Sequence, residues 1–284
     1  MAIPHSRFFK VIGSMLAVCL CAAPVLGAQP EKTCEYVDDI LSVSLPGQEG
    51  QPAAIDFTSN DFATYKRNLG FQGSFGWAYT GKRVLDVGAG LSEFVDIMSD
   101  RYDVDALAID VAYAELDLTG LSAECVDVFH RRRISMDAQR ILFPSNYFDL
   151  VVSHSLLSWF FIFDPKPGED PRLRIRRGME ILGQMTRVTN QGGEVRTTDF
   201  PDPYGEWYAE HCPTLVNDYR AAFKEFMRPY SVGEQSALEI SFHYAGDEGY
   251  TVIRKLERIP RVDARSSVSV IRNPRRHQPR NPDR

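Results

Sequence analysis

The chain has 284 residues, of which 44% are hydrophobic and 25% are charged. This composition predicts one globular domain with extensions, because a domain of roughly 200 residues can bury a sizeable core by itself. The formal net charge of −6 argues against a nucleic-acid partner. The cysteines show no Cys-x-x-Cys spacing and no matching histidine pairs, so no metal site is expected.

The first 28 residues have the order of a secretory signal peptide. A basic start precedes an apolar run over residues 11–26, and small residues at 27–28 come before a polar stretch. We therefore predict cleavage and export, to the periplasm or the medium. A true start at Met15 or later would weaken this signal, and a cytoplasmic protein is the alternative.

Three further segments are defined by composition. Residues 29–60 are rich in Gly, Pro and Ser and are predicted to form an N-terminal extension. A domain is predicted over 61–258, with a short helix at its start, over 61–68. Residues 259–284 are rich in Arg and Pro and poor in apolar residues, which predicts a disordered basic tail. Such a tail could contact a membrane surface weakly.

Strands and helices alternate through this domain. Residues 91–98 place apolar side chains at helical spacing, and Asp170-Pro171 opens a long helix that is predicted to end at Gly192-Gly193. Another helix is predicted at 215–226. Strands are predicted at 83–87, 105–109, 133–136, 148–153, 194–198, 238–242 and 250–256.

Strands joined by helical crossovers predict a mostly parallel sheet, and the closing pair of strands predicts an antiparallel edge hairpin. The fold class is therefore α/β. A Rossmann-like sheet with helices on both faces is the expected architecture, and it would bind ligands at the carboxyl ends of its strands.

The most informative stretch is Val-Leu-Asp-Val-Gly-Ala-Gly at residues 84–90. An apolar strand runs into Asp86 and then into a turn at Gly88 and Gly90, where the backbone can pass close to a ligand. A dinucleotide-binding turn needs a third glycine, but that position holds Glu93. Because its negative charge would face a pyrophosphate, the turn favours a ligand without phosphate.

These residues resemble the first motif of class I S-adenosylmethionine-dependent methyltransferases, in the group called methyltransferase type 11. The family's acid-x-Gly-x-Gly pattern is met by Asp86, Gly88 and Gly90, and Ser92 stands where many members have Gly. The resemblance covers about residues 80–200. Later family elements are matched by Phe-Asp-Leu-Val-Val at 148–152, Arg187-Val188 and Gly192-Gly193.

The resemblance implies a seven-stranded sheet of order 3-2-1-4-5-7-6 and S-adenosyl-L-methionine as methyl donor. Asp110 would accept hydrogen bonds from both ribose hydroxyls, and Asp137 would receive the adenine amino group. The predicted cofactor-binding residues are Asp86, Gly88, Gly90, Asp110, Asp137, Ala138 and Ser153.

A catalytic residue is harder to assign. In-line displacement from a sulfonium depends largely on positioning, and a base is needed only if the acceptor must lose a proton. His154, after the fourth strand, is the first candidate and Asp199 the second. His154 could instead pack or cap the next helix. The family's Asn/Asp-Pro-Pro-aromatic motif is absent, which argues against adenine or glutamine amide acceptors.

Three clusters have two interpretations each. The aromatic residues within 159–163 could line an apolar acceptor pocket, but we favour core packing. Arginines 172, 174, 176 and 177 could meet an anionic acceptor, but a solvated helix face is favoured. The Arg131–Arg133 run is expected to enter the third strand exposed.

The leading hypothesis is a methyltransferase that acts on a small-molecule or lipid-like acceptor. Predicted export conflicts with it, because S-adenosylmethionine is made in the cytosol. Delivery into another cell or a downstream start would resolve the conflict. Loss of catalysis would also do so, and the alternative is therefore an exported, non-catalytic binding or interaction protein that keeps the fold. The oligomeric state stays open.

Overall fold

The computed structural model describes residues 61–116, 118, 122–163, 168–232, 235–245 and 248–256. The predicted signal peptide, extension and basic tail lie outside these residues. Among the described helices, none is both long enough and apolar enough to cross a bilayer.

Seven strands form the main sheet of the described chain, and their order is β3-β2-β1-β4-β5-β7-β6. This confirms the predicted 3-2-1-4-5-7-6 topology. Strands β1 to β5 are parallel, whereas β7 runs antiparallel to both β5 and β6. The strands are β1 (Arg83–Val87), β2 (Asp105–Asp110), β3 (Arg133–Ser135), β4 (Phe148–Ser153), β5 (Thr189–Thr198), β6 (Leu238–Ala245) and β7 (Glu248–Lys255).

The strand order runs outward from β1 to β3 and then reverses to β4 and β5. Right-handed crossovers therefore place helices on both faces and open a crevice at the carboxyl ends of β1 and β4. The helices are α1 (Phe62–Asn68), α2 (Phe94–Tyr102), α3 (Ala123–Arg132), α4 (Ser158–Phe161), α5 (Pro171–Val188), α6 (Glu206–His211) and α7 (Val216–Met227).

The long helix α5 ends earlier than predicted. Its start is as expected, because the Asp170 side chain accepts a hydrogen bond from the Arg172 backbone N–H at 2.9 Å. Its last residue is Val188, however, and Gly192 and Gly193 lie inside β5. A Cβ on Gly193 would stand 2.8 Å from the Asp149 carbonyl oxygen. The glycines thus serve a close approach of β5 to β4 at a register shift, not a helix end.

The core lies between the sheet and α5. Val151 in the middle of β4 is fully buried, as are Leu182 and Met185 on α5. Each such side chain contributes about 1.5–3 kcal/mol relative to an exposed position. Gly178 lies on α5 four residues before Leu182. A Cβ at this position would stand 2.6 Å from the Phe161 ring, so α4 packs directly on α5.

The arginine run before β3 is only partly exposed, which corrects the prediction for Arg133. That side chain is 3% exposed. Its two terminal nitrogens donate to the Asp96 carboxylate and to the Ser92 carbonyl oxygen. Arg132 pairs with Asp96 and Asp100 on α2. The two arginines therefore tie the start of β3 to α2.

Candidate active site

The predicted glycine turn has the geometry that its motif requires. Gly88 and Gly90 follow β1 with φ angles of 69° and 54°, a left-handed conformation that side chains disfavour. The Gly88 N–H donates to the Ile109 carbonyl oxygen at 2.8 Å and so fixes the turn against β2. Leu156 packs over Gly88, where a Cβ would meet its side chain at 2.8 Å.

Asp110 at the end of β2 is joined directly to this turn. One carboxylate oxygen accepts from the Gly90 N–H at 3.1 Å, and the other accepts from the Ala112 N–H at 2.9 Å. The Tyr113 hydroxyl donates to the Gly90 carbonyl oxygen at 2.6 Å. Since a carboxylate has about four acceptor positions, Asp110 retains capacity for ligand hydroxyls.

Asp86 at the end of β1 lies in a different environment. It is fully buried, and within the described residues no hydrogen bond of regular geometry reaches either carboxylate oxygen. Burial raises the pKa of Asp86 to about 8, although the Tyr65 hydroxyl and the Arg133 charge favour its ionised form. The Tyr65 hydroxyl thus lies near this carboxyl without completing a hydrogen bond, and Asp86 retains acceptor capacity.

Ser92 and Glu93 have structural partners. The Ser92 hydroxyl accepts from the Phe94 N–H at 3.0 Å at the start of α2. The Glu93 carboxylate accepts from the Phe62 N–H at 2.8 Å, at the first residue of α1. The negative charge next to the glycine turn thus anchors α1 over this end of the sheet.

The remaining predicted cofactor residues lie at the ends of β3 and β4. Asp137 is exposed and accepts from the Gln139 N–H at 2.8 Å, which caps a short 3-10 turn that begins at Ala138. The Met136 N–H donates to the Asp110 carbonyl oxygen at 3.3 Å, so this segment adjoins the end of β2. Ser153 is fully buried, and none of the described residues forms a hydrogen bond with its hydroxyl.

His154 is held on several sides by the protein. The Asn68 amide donates to its Nε2 at 2.9 Å, its Nδ1 lies 3.0 Å from the Ser155 hydroxyl, and its ring stacks on Tyr65. The Arg67 Nε contact to the Asn68 side-chain oxygen orients that amide. Burial, with a smaller effect of Arg67, lowers the pKa of His154 to about 4. The ring is therefore neutral at physiological pH.

The loops after β4 and β5 contain two non-glycine residues with left-handed backbones. Ser155 has a φ of 63° and Asp199 a φ of 60°. The Ser155 N–H donates to the Thr198 hydroxyl, which donates in turn to the Asp199 carboxylate, each at 2.8 Å. Burial raises the pKa of Asp199. Such conformations cost about 1–3 kcal/mol each and cluster at functional sites.

The aromatic cluster after β4 divides between core and surface. Phe161 is fully buried, as the core interpretation predicts, and packs edge-on against Tyr219. Trp159 and Phe163 are 48% and 46% exposed and contact each other instead. The core interpretation is therefore right for Phe161 and wrong for this exposed pair.

The solvated-face interpretation of the α5 arginines is wrong for one of them. Arg174 is 4% exposed, and its Nε and Nη2 have no partner among the residues that the structure describes, whereas its three neighbouring arginines are exposed. Helical spacing could have shown this, because Arg174 lies four residues before Gly178 and eleven before Met185, on the buried face. Tyr208, on α6, is also fully buried, its hydroxyl likewise has no partner within the described ranges, and no sequence signal marked it.

A comparison with protein families identifies the segment that carries the glycine turn. Residues 85–197, from β1 to β5, match the family model described as "Methyltransferase domain". This segment is a methyltransferase domain. Its fold is the class I arrangement that the sequence predicts, and the resemblance stated from the motifs is confirmed. The sequence has no significant match among proteins of curated function.

Solved structures match the methyltransferase domain at low identity. A candidate S-adenosyl-L-methionine-dependent methyltransferase from Methanococcus maripaludis is 16% identical, with 75% of this chain and 99% of that chain covered and a TM-score of 0.36. A protein from Pyrococcus horikoshii OT3 is 16% identical, with coverages of 72% and 96% and a TM-score of 0.40. Phosphoethanolamine N-methyltransferase 2 from Haemonchus contortus is 19% identical, with coverages of 63% and 38% and a TM-score of 0.36. Because these TM-scores are low, the fold assignment does not depend on these structures.

Proposed function

We propose that this methyltransferase domain binds S-adenosylmethionine at the carboxyl ends of β1 and β2 and transfers its methyl group to a small or lipid-like acceptor. The observation that carries the proposal is the contact of Asp110 with the glycine turn. One carboxylate oxygen accepts from the Gly90 N–H, and the other accepts from the Ala112 N–H and caps the next turn. The carboxylate therefore lies directly beside the glycine turn, whose two glycines have no side chains of their own.

The residues of the turn fit such a donor. Asp110 has remaining acceptor positions for the two ribose hydroxyls, and Asp137 is exposed for the adenine amino group. The Asp86 carboxylate completes no hydrogen bond with any described residue, and a cationic ammonium group would satisfy it. Gly88 and Gly90, with Ala138 and Ser153, complete the predicted contacts. The donor supplies a methyl group already activated on a sulfonium, so the chain's contribution is binding and alignment.

His154 as a general base stays a prediction. Its low pKa keeps the ring neutral, which a base requires, but Nε2 already accepts a hydrogen bond from Asn68. An acceptor would therefore have to replace the Asn68 amide at Nε2. We propose that positioning dominates this reaction and that His154 mainly fastens α1 to the loop after β4.

Two carboxylates offer a matched test of donor binding. Asp110 accepts from two backbone N–H groups at the carboxyl edge, and Asp149 accepts from the Arg83 N–H and the Asn190 amide at the start of β4. Calorimetry with S-adenosylhomocysteine on the full chain should show binding to wild type and to Asp149→Ala. It should show affinity lowered about 100-fold or more in Asp110→Ala, because charge-assisted hydrogen bonds contribute about 1.5–3 kcal/mol each.

Two results would contradict the proposal. The first is no binding to wild type at high micromolar ligand. The second is the same loss of affinity in both variants, which would trace the effect to general destabilisation. A biological role that survives in Asp110→Ala despite lost donor binding would favour the non-catalytic alternative.

A further inference from the structure

The side chain of Arg174 is buried, but the described protein does not satisfy all of its hydrogen-bond donors. It lies in the first turn of α5 and is 4% exposed, and its Nε and Nη2 have no hydrogen-bond partner in the described part of the chain. Taking a guanidinium out of water without a counter-charge is strongly unfavourable, and buried arginines are normally paired. An unpaired one therefore calls for a ligand.

Tyr208 supplies a second unused donor nearby. It is fully buried, and no described residue forms a hydrogen bond with its hydroxyl. Burial, with a smaller effect of Cys212, raises the pKa of Tyr208, so the phenol stays protonated. The Arg174 charge lowers this pKa, which indicates an electrostatic interaction between the two groups. The ring of Tyr208 lies 4.3 Å from that of Tyr219, whose own hydroxyl donates to the Pro201 carbonyl oxygen. Only one phenol of this pair is thus satisfied within the protein.

The fold places both groups on the side where a methyl acceptor would enter. The chain leaves the carboxyl end of β4, forms α4, and returns through α5, so Arg174 in the first turn of α5 lies towards that end of the sheet. Helix α6, which carries Tyr208, follows the carboxyl end of β5. In open α/β sheets, ligands bind beyond these carboxyl ends.

We propose that Arg174 and Tyr208 bind an anionic group, a carboxylate or phosphate, on the methyl acceptor. The guanidinium supplies two parallel N–H donors suited to a planar or tetrahedral oxyanion, and the phenol supplies a third. The proposal rests on the proposed methyl transfer, which it narrows from a small or lipid-like acceptor to an anionic one.

The experiment follows thermal stability of the full chain with phosphate, acetate or chloride at equal ionic strength. Phosphate or acetate should raise the Tm of wild type above the chloride value. The increase should be lost in Arg174→Met and reduced in Tyr208→Phe, but kept in Arg172→Met, which alters an exposed arginine two positions away. Without anions, Arg174→Met should melt at or above the wild-type temperature, because it removes an unpaired buried charge.

A second arm separates a soluble acceptor from a lipid headgroup. Vesicles of phosphatidylglycerol and of phosphatidylcholine are sedimented with wild type and Arg174→Met. Loss of binding to the anionic vesicles in the variant assigns the oxyanion to a lipid. Stabilisation by soluble anions without vesicle binding assigns it to a soluble acceptor.

The proposal fails if no anion raises the wild-type Tm above chloride, or if Arg174→Met keeps the increase. It also fails if Arg174→Met lowers the Tm without anions, because the arginine would then be structural. S-adenosylhomocysteine binding measured on the same samples isolates this failure. Donor binding in wild type and in Arg174→Met alongside a failed anion test leaves the proposed methyl transfer standing.

Discussion

Two regions of the sheet treat their buried charges differently. Around β2 and β3, Arg133 is paired with Asp96 and Asp110 accepts from two backbone N–H groups. At the end of β1 and in the segments after β4 and β5, Asp86 and Arg174 have polar atoms with no hydrogen-bond partner among the described residues. Since folded proteins satisfy nearly all buried polar groups, such atoms are positions that a ligand, an ion or a water molecule can complete.

Arg133 gives the largest expected effect and tests the paired side. Replacing it with Met removes two hydrogen bonds to Asp96, which keeps its ion pair with Arg132, and also removes the donor to the Ser92 carbonyl oxygen. We expect the free energy of unfolding in urea to fall by about 1–3 kcal/mol, because a buried acceptor is left without its donor. Arg172→Met is the control, because its pair with Asp218 is exposed and should contribute at most about 0.5 kcal/mol. Equal losses of unfolding free energy in Arg133→Met and Arg172→Met would show that the buried ion pair contributes no more than the exposed one.

Asp86 tests the unpaired side through pH. Its carboxyl ionises at a pKa of about 8 in the folded protein, against an ordinary value of 3.8 in the unfolded chain. The folded state therefore holds an extra proton between these values, and stability falls as the pH rises from about 4 to about 8.

Asp86→Asn removes this dependence. At pH 8 it should be more stable than wild type, and the difference should shrink to nothing by pH 4. Urea unfolding at both pH values measures this. A variant that is less stable than wild type at pH 8 would show that the ionised carboxylate has a partner in the folded protein.

His154 gives the smallest expected effect, because it lies in the second region but has partners. Its pKa of about 4 predicts that the ring signals in NMR stay constant from about pH 5.5 to 8. Asn68→Ala provides the comparison, since it removes the hydrogen bond to Nε2 and opens the ring to solvent. A wild-type midpoint near 6.5 would show that the ring is solvated and free to act.

The glycine turn and Asp110 could be predicted from the sequence because their contacts are local. Asp86, Gly88 and Gly90 lie in one turn, and Asp110 is placed by the neighbouring parallel strand, so motif and topology together fix them. The role of Glu93 could not be predicted, because its partner is the N–H of Phe62, 31 residues upstream. The hydrogen bond between Asn68 and His154 spans 86 residues.

Arg174 shows where pattern and chemistry conflict. Four arginines in one helix favour a solvated face by composition, but only helical phase separates Arg174 from its exposed neighbours. Even with the phase known, its nearness to Tyr208 depends on how α6 packs, which no local pattern in the sequence specifies. The residues predicted to bind the methyl donor thus follow from motifs, whereas the proposed acceptor site depends on tertiary packing.

The closing strand β7 covers the edge of the sheet at which the matched family segment ends. Lys255 donates to the carbonyl oxygens of Thr186, Arg187 and Thr189, at the junction between α5 and β5. Strand β7 also pairs with residues 194–198 of β5. A fragment cut at the limits of the matched segment, 85–197, would leave β5 as a bare edge able to pair with other chains. The stretch that identifies the family therefore depends on β7 to cover its sheet edge.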